Sequence, residues 1–186
     1  MTNEDSNHPT FSSKSEKGIT GRKIIYDKDG KPCRACNTLL DFQLVTGKVS
    51  DSGPSTGLGK LGSSLGVLGN QTKVNGYAKE DPPDVEQLGR SSWSLLHSIA
   101  AAYPVSPNDK QRSEMKQFMT LFSHVYPCWW CAKDFEDFIK KNSPKVGSRD
   151  ELGLWMCEAH NEVNEKLGKS KFDCSFWKNR WIDGWD

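Results

Sequence analysis

The chain lacks an excess of either charge: 25 Lys and Arg face 24 Asp and Glu, a formal net charge of +1. A phosphate backbone selects for a basic stripe or patch, so nothing in the charge balance argues for nucleic acid. It also lacks long apolar runs, and none approaches the roughly 20 residues needed to cross a bilayer. Apolar residues are scarce throughout: 35% of the chain is hydrophobic and the mean hydropathy is −0.69. The length, 186 residues, holds one domain with room to spare. With so few apolar residues, part of the chain is expected to be disordered. The opening run Met1-Thr2-Asn3-Glu4-Asp5 is acidic and polar. It has no apolar signal core and no Arg-rich amphipathic stretch, so it reads as neither a secretory signal nor a transit peptide.

Cysteine is present in a telling arrangement. Cys128 and Cys131 sit in Tyr126-Pro127-Cys128-Trp129-Trp130-Cys131, at the start of an amphipathic pattern. That spacing allows a disulfide, and a helix start leaves it exposed enough to exchange. Cys33 and Cys36 repeat the spacing far upstream in a polar, Gly-rich tail, while Cys157 and Cys174 are widely separated. The six cysteines therefore sort into two short redox-type pairs and one long structural-type pair. This is the pattern of a protein that moves electrons out of thiols.

Composition changes sharply near residue 83. Residues 1–20 are rich in Ser, Thr, Asn and Lys, and an island follows from Arg22 to Val49, with Asp29-Gly30-Lys31-Pro32 as a turn before Cys33. Gly53, Gly57, Gly59, Gly62, Gly66 and Gly69 then alternate with Ser and other residues, which is linker composition. Within it, Gly57-Leu58-Gly59-Lys60-Leu61-Gly62 matches the dinucleotide pattern G-x-G-x-x-G. No strand precedes it and no helix follows, so it reads as linker. The chain divides into a flexible N-terminal segment, residues 1–81, and a compact domain, residues 82–186.

The compact part reads as helices. Asp84 is an N-cap, followed by Val85, Leu88, Leu95, Leu96 and Ile99 at helical spacing until Tyr103-Pro104. Ser106-Pro107 starts a second helix with the stripe Met115, Phe118, Met119, Phe122, Val125 and Tyr126. Cys128 opens a third, with Cys131, Phe135 and Phe138 on one side. Ser148-x-x-Glu151 is a capping box for a fourth helix, which ends at Leu167-Gly168. A short fifth carries Phe176, Trp177, Arg180 and Trp181. No run alternates with period two for long enough to demand a sheet. The expectation is an all-α fold, a four-helix bundle plus a short fifth helix, preceded by a largely disordered tail.

A second set of stripes exceeds what a core needs. Arg90, Trp93 and His97 share one face of the first helix, and Cys157, His160, Asn161 and Asn164 share one of the fourth. Arg180, Trp181 and Trp185 end the chain. Each residue alone is more often core or solvated surface. Together, tryptophans offer stacking faces, and His, Asn and Arg orient planar heterocycles and pair with phosphates. The chemistry also asks for a cofactor. A dithiol gives up two electrons together, whereas oxygen and haem proteins readily take one at a time, and a flavin mediates that change. In the absence of a Rossmann motif, a helical bundle must hold it.

Three motifs now identify a resemblance: Leu88-Gly89-Arg90-Ser91-Ser92-Trp93-Ser94-Leu95-Leu96-His97, Tyr126-Pro127-Cys128-x-x-Cys131, and Cys157-x-x-His160-Asn161-x-Val163-Asn164-x-Lys166-Leu167-x-Lys169. They closely resemble the Erv/ALR family of FAD-linked sulfhydryl oxidases over residues 82–186. The upstream Asp29-Gly30-Lys31-Pro32-Cys33-x-x-Cys36 looks like the shuttle segment of fungal mitochondrial members. The resemblance makes Cys128 and Cys131 the active-site pair, with Cys131 the flavin-proximal, charge-transfer thiolate and Cys128 the one that exchanges outward. It makes Cys33 and Cys36 the shuttle disulfide, and Cys157–Cys174 a structural disulfide. Arg90, Trp93, His97, Cys157, His160, Asn161, Val163, Asn164, Lys166, Lys169, Arg180 and Trp181 match FAD-contacting positions, and His124 matches one more loosely. Trp129-Trp130 departs from the mammalian pattern and reads as an apolar docking rim.

The resemblance implies an oxidase that makes disulfides in thiol-containing partner proteins. Electrons pass from substrate thiols via Cys33–Cys36 to Cys128–Cys131, then to FAD and on to oxygen or cytochrome c. It further implies a homodimer in the mitochondrial intermembrane space, with the disulfide carrier of protein import as donor. As free chain, the roughly 48 residues from Cys36 to the bundle span about 40 Å, enough reach for a shuttle. Two other readings compete. Cys128, Cys131, Cys157 and His160 could bind zinc as a Cys3His set, which leaves the tryptophan and asparagine stripes unexplained. A cofactor-free thioredoxin-like protein needs a βαβ context that the sequence does not offer.

Overall fold

The computed structural model describes residues 17–47, 73–74, 77–78 and 81–185. The Gly- and Ser-rich stretch from Gly53 to Gly69, with its dinucleotide-like pattern, lies outside them. The described helices are α1 (Leu39–Val45), α2 (Val85–Ala102), α3 (Asp109–Val125), α4 (Trp129–Lys141) and α5 (Arg149–Lys166). A 3-10 turn (Cys174–Phe176) and a π-turn (Asn179–Asp183) stand where the short fifth bundle helix was expected. The described strands are two residues each, Lys73–Val74 antiparallel to Tyr77–Ala78, and the fold is all-α as expected.

Helix starts are set by local caps. Asp84 Oδ1 accepts from the Glu86 and Gln87 N–H groups at 3.0 and 2.9 Å, and the Gln87 side chain accepts from Asp84 N–H at 3.1 Å. The cap of α3 is Asn108, not Ser106, because Asn108 and Gln111 close the same reciprocal pair, each bond 2.9 Å. The expected capping box at Ser148 is half formed: Ser148 Oγ accepts from Glu151 N–H, but the Glu151 carboxylate accepts from Gly147 N–H, one residue earlier. Gly168 ends α5 at φ +67°, the left-handed position that suits glycine.

In the bundle, α2 packs chiefly on α5, and α3 on α4. The core is Leu96, Ala100, Tyr103, Met119, Val146, Leu152, Trp155 and Met156, with Trp93, Met115, Phe118, Phe122, Phe135, Phe138 and Ile139 packed against it. The buried phenol and indole of this core are paired: Tyr103 Oη donates to the Val146 carbonyl at 3.1 Å and Trp155 Nε1 to that of Asn142 at 3.0 Å. Two stripe residues fall outside this core, Leu95 at 55% exposure and Val125 at 75%. The buried line of α2 runs through Trp93, Leu96, His97 and Ala100 at i, i+3, i+4 and i+7, which turns Leu95 away. Val125 ends α3 just before the chain turns into Tyr126.

The upstream island is folded locally and rests on the bundle. Asn37 is its centre. Ile25 N–H donates to Asn37 Oδ1 at 2.9 Å, and Asn37 Nδ2 donates to the Ile25 and Cys33 carbonyls, both at 2.7 Å. Asp41 is buried and accepts from the Thr20 N–H and hydroxyl. Burial alone would raise its pKa, but bonds from Thr20 and Thr38 and the charge of Arg22 hold it below the usual carboxylate value. The island reaches the bundle through Val85 N–H to the Asn37 carbonyl at 3.3 Å, Leu39 N–H to Asp84 Oδ2 at 3.2 Å, Arg34 to the Pro82 carbonyl and an Arg22–Glu86 ion pair at 2.9 Å. The reach expected of free chain after Cys36 is shortened accordingly, since residues 37–47 belong to α1 and its flanking turns.

Gly153 marks a close approach of α5 to a rigid ring: a Cβ there would meet Trp177 ring atoms at 2.4 to 2.6 Å. Gly89, inside α2, has nothing within 4 Å of a Cβ. Gly153→Ala is therefore expected to lower stability by about 1–3 kcal/mol through overpacking. Gly89→Ala is expected to raise it by about 0.5–1 kcal/mol by restricting the unfolded chain. Denaturant unfolding of both variants checks this, and equal effects of one sign would contradict the packing at Trp177.

Candidate functional site

All six cysteines are disulfide-bonded, in three pairs: Cys33–Cys36, Cys128–Cys131 and Cys157–Cys174. Cys128 caps α4, its Sγ accepting from Cys131 N–H at 3.2 Å. The two short pairs meet. Ile25, Cys33, Cys36 and Cys128 form one apolar cluster, lined by Val85, Leu88, Tyr126 and Cys131. Adjacency puts the two short pairs within reach of each other, as exchange requires once one of them is reduced to a thiolate. The zinc reading loses its ligands here, because Cys128 and Cys157 are each bonded to another cysteine. Among the described residues no helix is long and apolar enough to cross a membrane.

Beside this cluster stands an aromatic slot between α2 and α5. Trp93 stacks on His160 with ring centroids 4.1 Å apart and planes 4° apart. His97 stacks on Trp181 at 4.4 Å and 5°. The two imidazoles share a hydrogen bond, His97 Nε2 to His160 Nδ1, at 3.0 Å. Arg180 lies over the outer Trp181 ring at 4.3 Å. Trp93 also meets Phe135 edge-on at 6.4 Å, one turn along α4 from Cys131. Burial pushes the His97 pKa down to about 3, helped by His160 and Arg180. Burial likewise pushes His160 down to about 4, helped by Lys169. Both rings are neutral at physiological pH, one donating and the other accepting.

The sequence-selected residues divide accordingly. Trp93, His97, His160 and Trp181 come together, with Lys169 and Arg180 as the nearby cations. Arg90 is exposed and pairs with Glu86 at 3.8 Å. Asn161 holds a loop: its Nδ2 donates to the Phe172 carbonyl and its Oδ1 accepts from Phe172 N–H, both at 2.8 Å. Asn164 Nδ2 donates to Asn161 Oδ1 at 3.3 Å. Lys166 pairs with Asp134 at 3.1 Å, Val163 is half-buried and His124 is exposed. Cys157–Cys174 ties α5 to the 3-10 turn, next to the Asn161 loop contact. Sequence reasoning missed Asn37, Asp41 and the contact of Trp129 Nε1 with the Tyr26 carbonyl at 3.1 Å. The run Cys36-Asn37-Thr38 before a short apolar stretch was the available cue, since Thr38 caps α1.

Three comparisons bear on this geometry. A model of the Erv1/Alr family matches residues 90–182. The mitochondrial FAD-linked sulfhydryl oxidase ERV1 of Saccharomyces cerevisiae is 61% identical over 176 residues, covering 92% of this chain and 93% of its own. The mitochondrial FAD-linked sulfhydryl oxidase of Schizosaccharomyces pombe is 38% identical, covering 84% and 90%. The crystal structure of the yeast Erv1 core superposes with a TM-score of 0.59 at 68% identity, over 61% of this chain and 96% of that one.

Two outcomes follow from the slot and its disulfide. Both histidine pKa values lie below the ordinary 6.5, so their contribution to stability is complete above pH 6.5. It is lost as the pH falls toward 4 and 3, where the unfolded chain takes up protons that the fold refuses. Asp41 and Asp84, held below 3.8, lose theirs only at lower pH. Thermal unfolding from pH 7.5 downward should show a slope beginning near 6.5 that His160→Phe reduces; identical slopes would refute the neutral pair. Separately, replacing both Cys157 and Cys174 with Ser should cost about 3 kcal/mol, the loop-entropy value for a closure of this size. Turnover should stay measurable, and its complete loss in a folded double variant would mark the pair as catalytic.

Proposed function

The chain belongs to the Erv1/Alr family, and from that membership we propose that it is an FAD-dependent thiol oxidase that makes disulfides in thiol-containing proteins. The observation that carries the reading is the meeting of Cys33–Cys36 and Cys128–Cys131 in one apolar cluster beside a neutral aromatic slot. The slot fits FAD by the chemistry of its groups. Trp93, His97, His160 and Trp181 offer flat faces and uncharged ring nitrogens, and Lys169 and Arg180 offer cations of the kind that pair with phosphates. Bound there, FAD supplies the change from two-electron thiol chemistry to one-electron acceptors.

The chain's own residues do the rest. Cys33 and Cys36 collect electrons from a reduced partner through a mixed disulfide. The apolar cluster brings that pair to Cys128–Cys131. His97 and His160, kept neutral, leave the slot without an ionised group that would demand a counter-charge. Arg90, His124, Asn161, Val163, Asn164 and Lys166 complete the proposed FAD contacts. In this reading Asn161 acts by fixing the loop after α5.

The chain is mitochondrial, and three disulfides suit an oxidising compartment such as the intermembrane space. Within this reading, residues 1–81 are the shuttle segment and residues 82–186 the oxidase domain. The donor is the disulfide carrier of protein import, and the acceptor is cytochrome c or oxygen. The functional unit is a homodimer, a reading supported by the exposed Leu95 and Leu121, at 55% and 59%, which a second copy would cover.

The test separates the two cysteine pairs. Dithiothreitol is small enough to reduce Cys128–Cys131 directly, whereas a folded dithiol protein must use the shuttle. Cys33→Ser or Cys36→Ser is expected to keep much of the dithiothreitol activity and lose that toward the import disulfide carrier. Cys128→Ser or Cys131→Ser is expected to lose both. Equal losses with both donors in the shuttle variants would remove the relay, and protein purified without absorbance near 450 nm would remove the flavin.

A further inference from the structure

Trp129 and Trp130 lie between the two active cysteines and take no part in the exchange chemistry described so far. Their rings meet edge-to-face at 5.6 Å and are 41% and 44% exposed. Each has a partner from the shuttle segment. The Trp129 indole N–H donates to the Tyr26 carbonyl at 3.1 Å, and the Lys23 ammonium lies over the Trp130 ring at 5.8 Å. The arm they touch leads directly to the shuttle disulfide. Tyr26 pairs with Pro32 in an antiparallel bridge, and Cys33 N–H donates to the Ile25 carbonyl at 2.9 Å. Other polar contacts, through Asn37, Leu39, Arg22 and Arg34, tie the segment to the start of α2 and the residues just before it. The tryptophan contacts tie it to α4, the helix that Cys128 caps, alongside the apolar packing of Ile25, Cys33 and Cys36 on Cys128 and Cys131.

We infer that Trp129 and Trp130 are positioning residues for exchange between the two cysteine pairs, holding the Tyr26 arm so that the Cys33–Cys36 turn rests against Cys128. The inference rests on the oxidase reading and its relay. In the step served, two electrons and two protons leave the Cys33/Cys36 dithiol as its S–S bond forms. They arrive on Cys128 and Cys131 as that S–S bond breaks. Attack of sulfur on a disulfide is directional, so orientation counts as much as contact. The docked pose also has a cost. Cys33 is 9% exposed, Cys36 8% and Cys128 1%, so a bulky thiol reaches none of them there. The segment must leave this pose to be loaded and return to hand over. One neutral hydrogen bond and one partly exposed cation–π contact orient the arm without locking it.

Trp129→Phe keeps an aromatic ring and drops the indole N–H; Trp130→Leu removes the ring face under Lys23. Both side chains are partly exposed, so the variants should fold. The experiment measures kcat and KM of the FAD-loaded full chain with the reduced import disulfide carrier and with dithiothreitol. In Trp129→Phe the ratio of carrier kcat to dithiothreitol kcat should fall roughly fivefold, the effect of one hydrogen bond made in the transfer pose only. The carrier KM should not rise. Trp130→Leu and Lys23→Met should each lower the ratio, and combining them should add little. An unchanged ratio overturns the inference, as does a rise in carrier KM without a fall in kcat. If Cys33→Ser retains carrier turnover, the relay itself fails and the inference with it. If Cys33→Ser loses carrier turnover while both tryptophan variants keep the ratio, the relay stands and the inference alone fails.

Discussion

The pairing of α2 with α5 across two neutral imidazoles is the constraint on which the rest depends. His97 is buried and His160 half-buried between these helices, and the two share a hydrogen bond. Ionising either ring there would leave a charge without a partner carboxylate, which burial penalises heavily. Each ring therefore stays uncharged and lies flat against a tryptophan, Trp93 on one side and Trp181 on the other. The nearby positive charge is that of Arg180 and Lys169.

Helix starts do structural work beyond their own helices. Asp84 caps α2 with one carboxylate oxygen and accepts from Leu39 N–H, at the start of α1, with the other. Burial would raise its pKa, but these backbone bonds and the nearby Arg34 hold it low, so it remains an ionised acceptor. One side chain thus joins the Lys17–Gly47 island to the helical bundle. Cys128 plays a comparable part at α4: its sulfur belongs to the redox pair and caps the helix as well. The Cys128–Cys131 disulfide is therefore fixed in direction by the helix it begins.

The thiol chemistry and the fold share the same apolar cluster. Ile25, Cys33, Cys36 and Cys128 form its buried part, with Val85, Leu88, Tyr126 and Cys131 packed against them. Burial shields Cys33, Cys36 and Cys128 from bulky thiols in solution. In the proposed relay, loading and hand-over therefore need different poses of the segment that carries Cys33 and Cys36. Contacts of modest strength between that segment and the bundle suit such a cycle better than a large permanent interface.

Much of this was legible in the residues themselves. Helical periodicity placed four bundle helices because a 3.6-residue repeat is a local property. Asp84 and Gly168 announced their ends for equally local reasons. Cysteine spacing sorted two short pairs from one long pair because a three-residue separation closes a disulfide within one turn. Local rules erred where a better competitor lay next door: Asn108 outdid Ser106 as a cap, and Leu95 sat one residue off the buried line. Folding of the island from Lys17 to Gly47 was not legible, since its core is a buried asparagine and aspartate bonded to backbone far away in sequence. The sequence by itself determined the helices, the cysteine pairs and the residue types that a flavin site needs. Only the tertiary structure decided that His97 meets His160, that Trp129 meets Tyr26 and that the two redox pairs share one apolar pocket. Such long-range meetings depend on how helices and loops pack together, which no periodic pattern records.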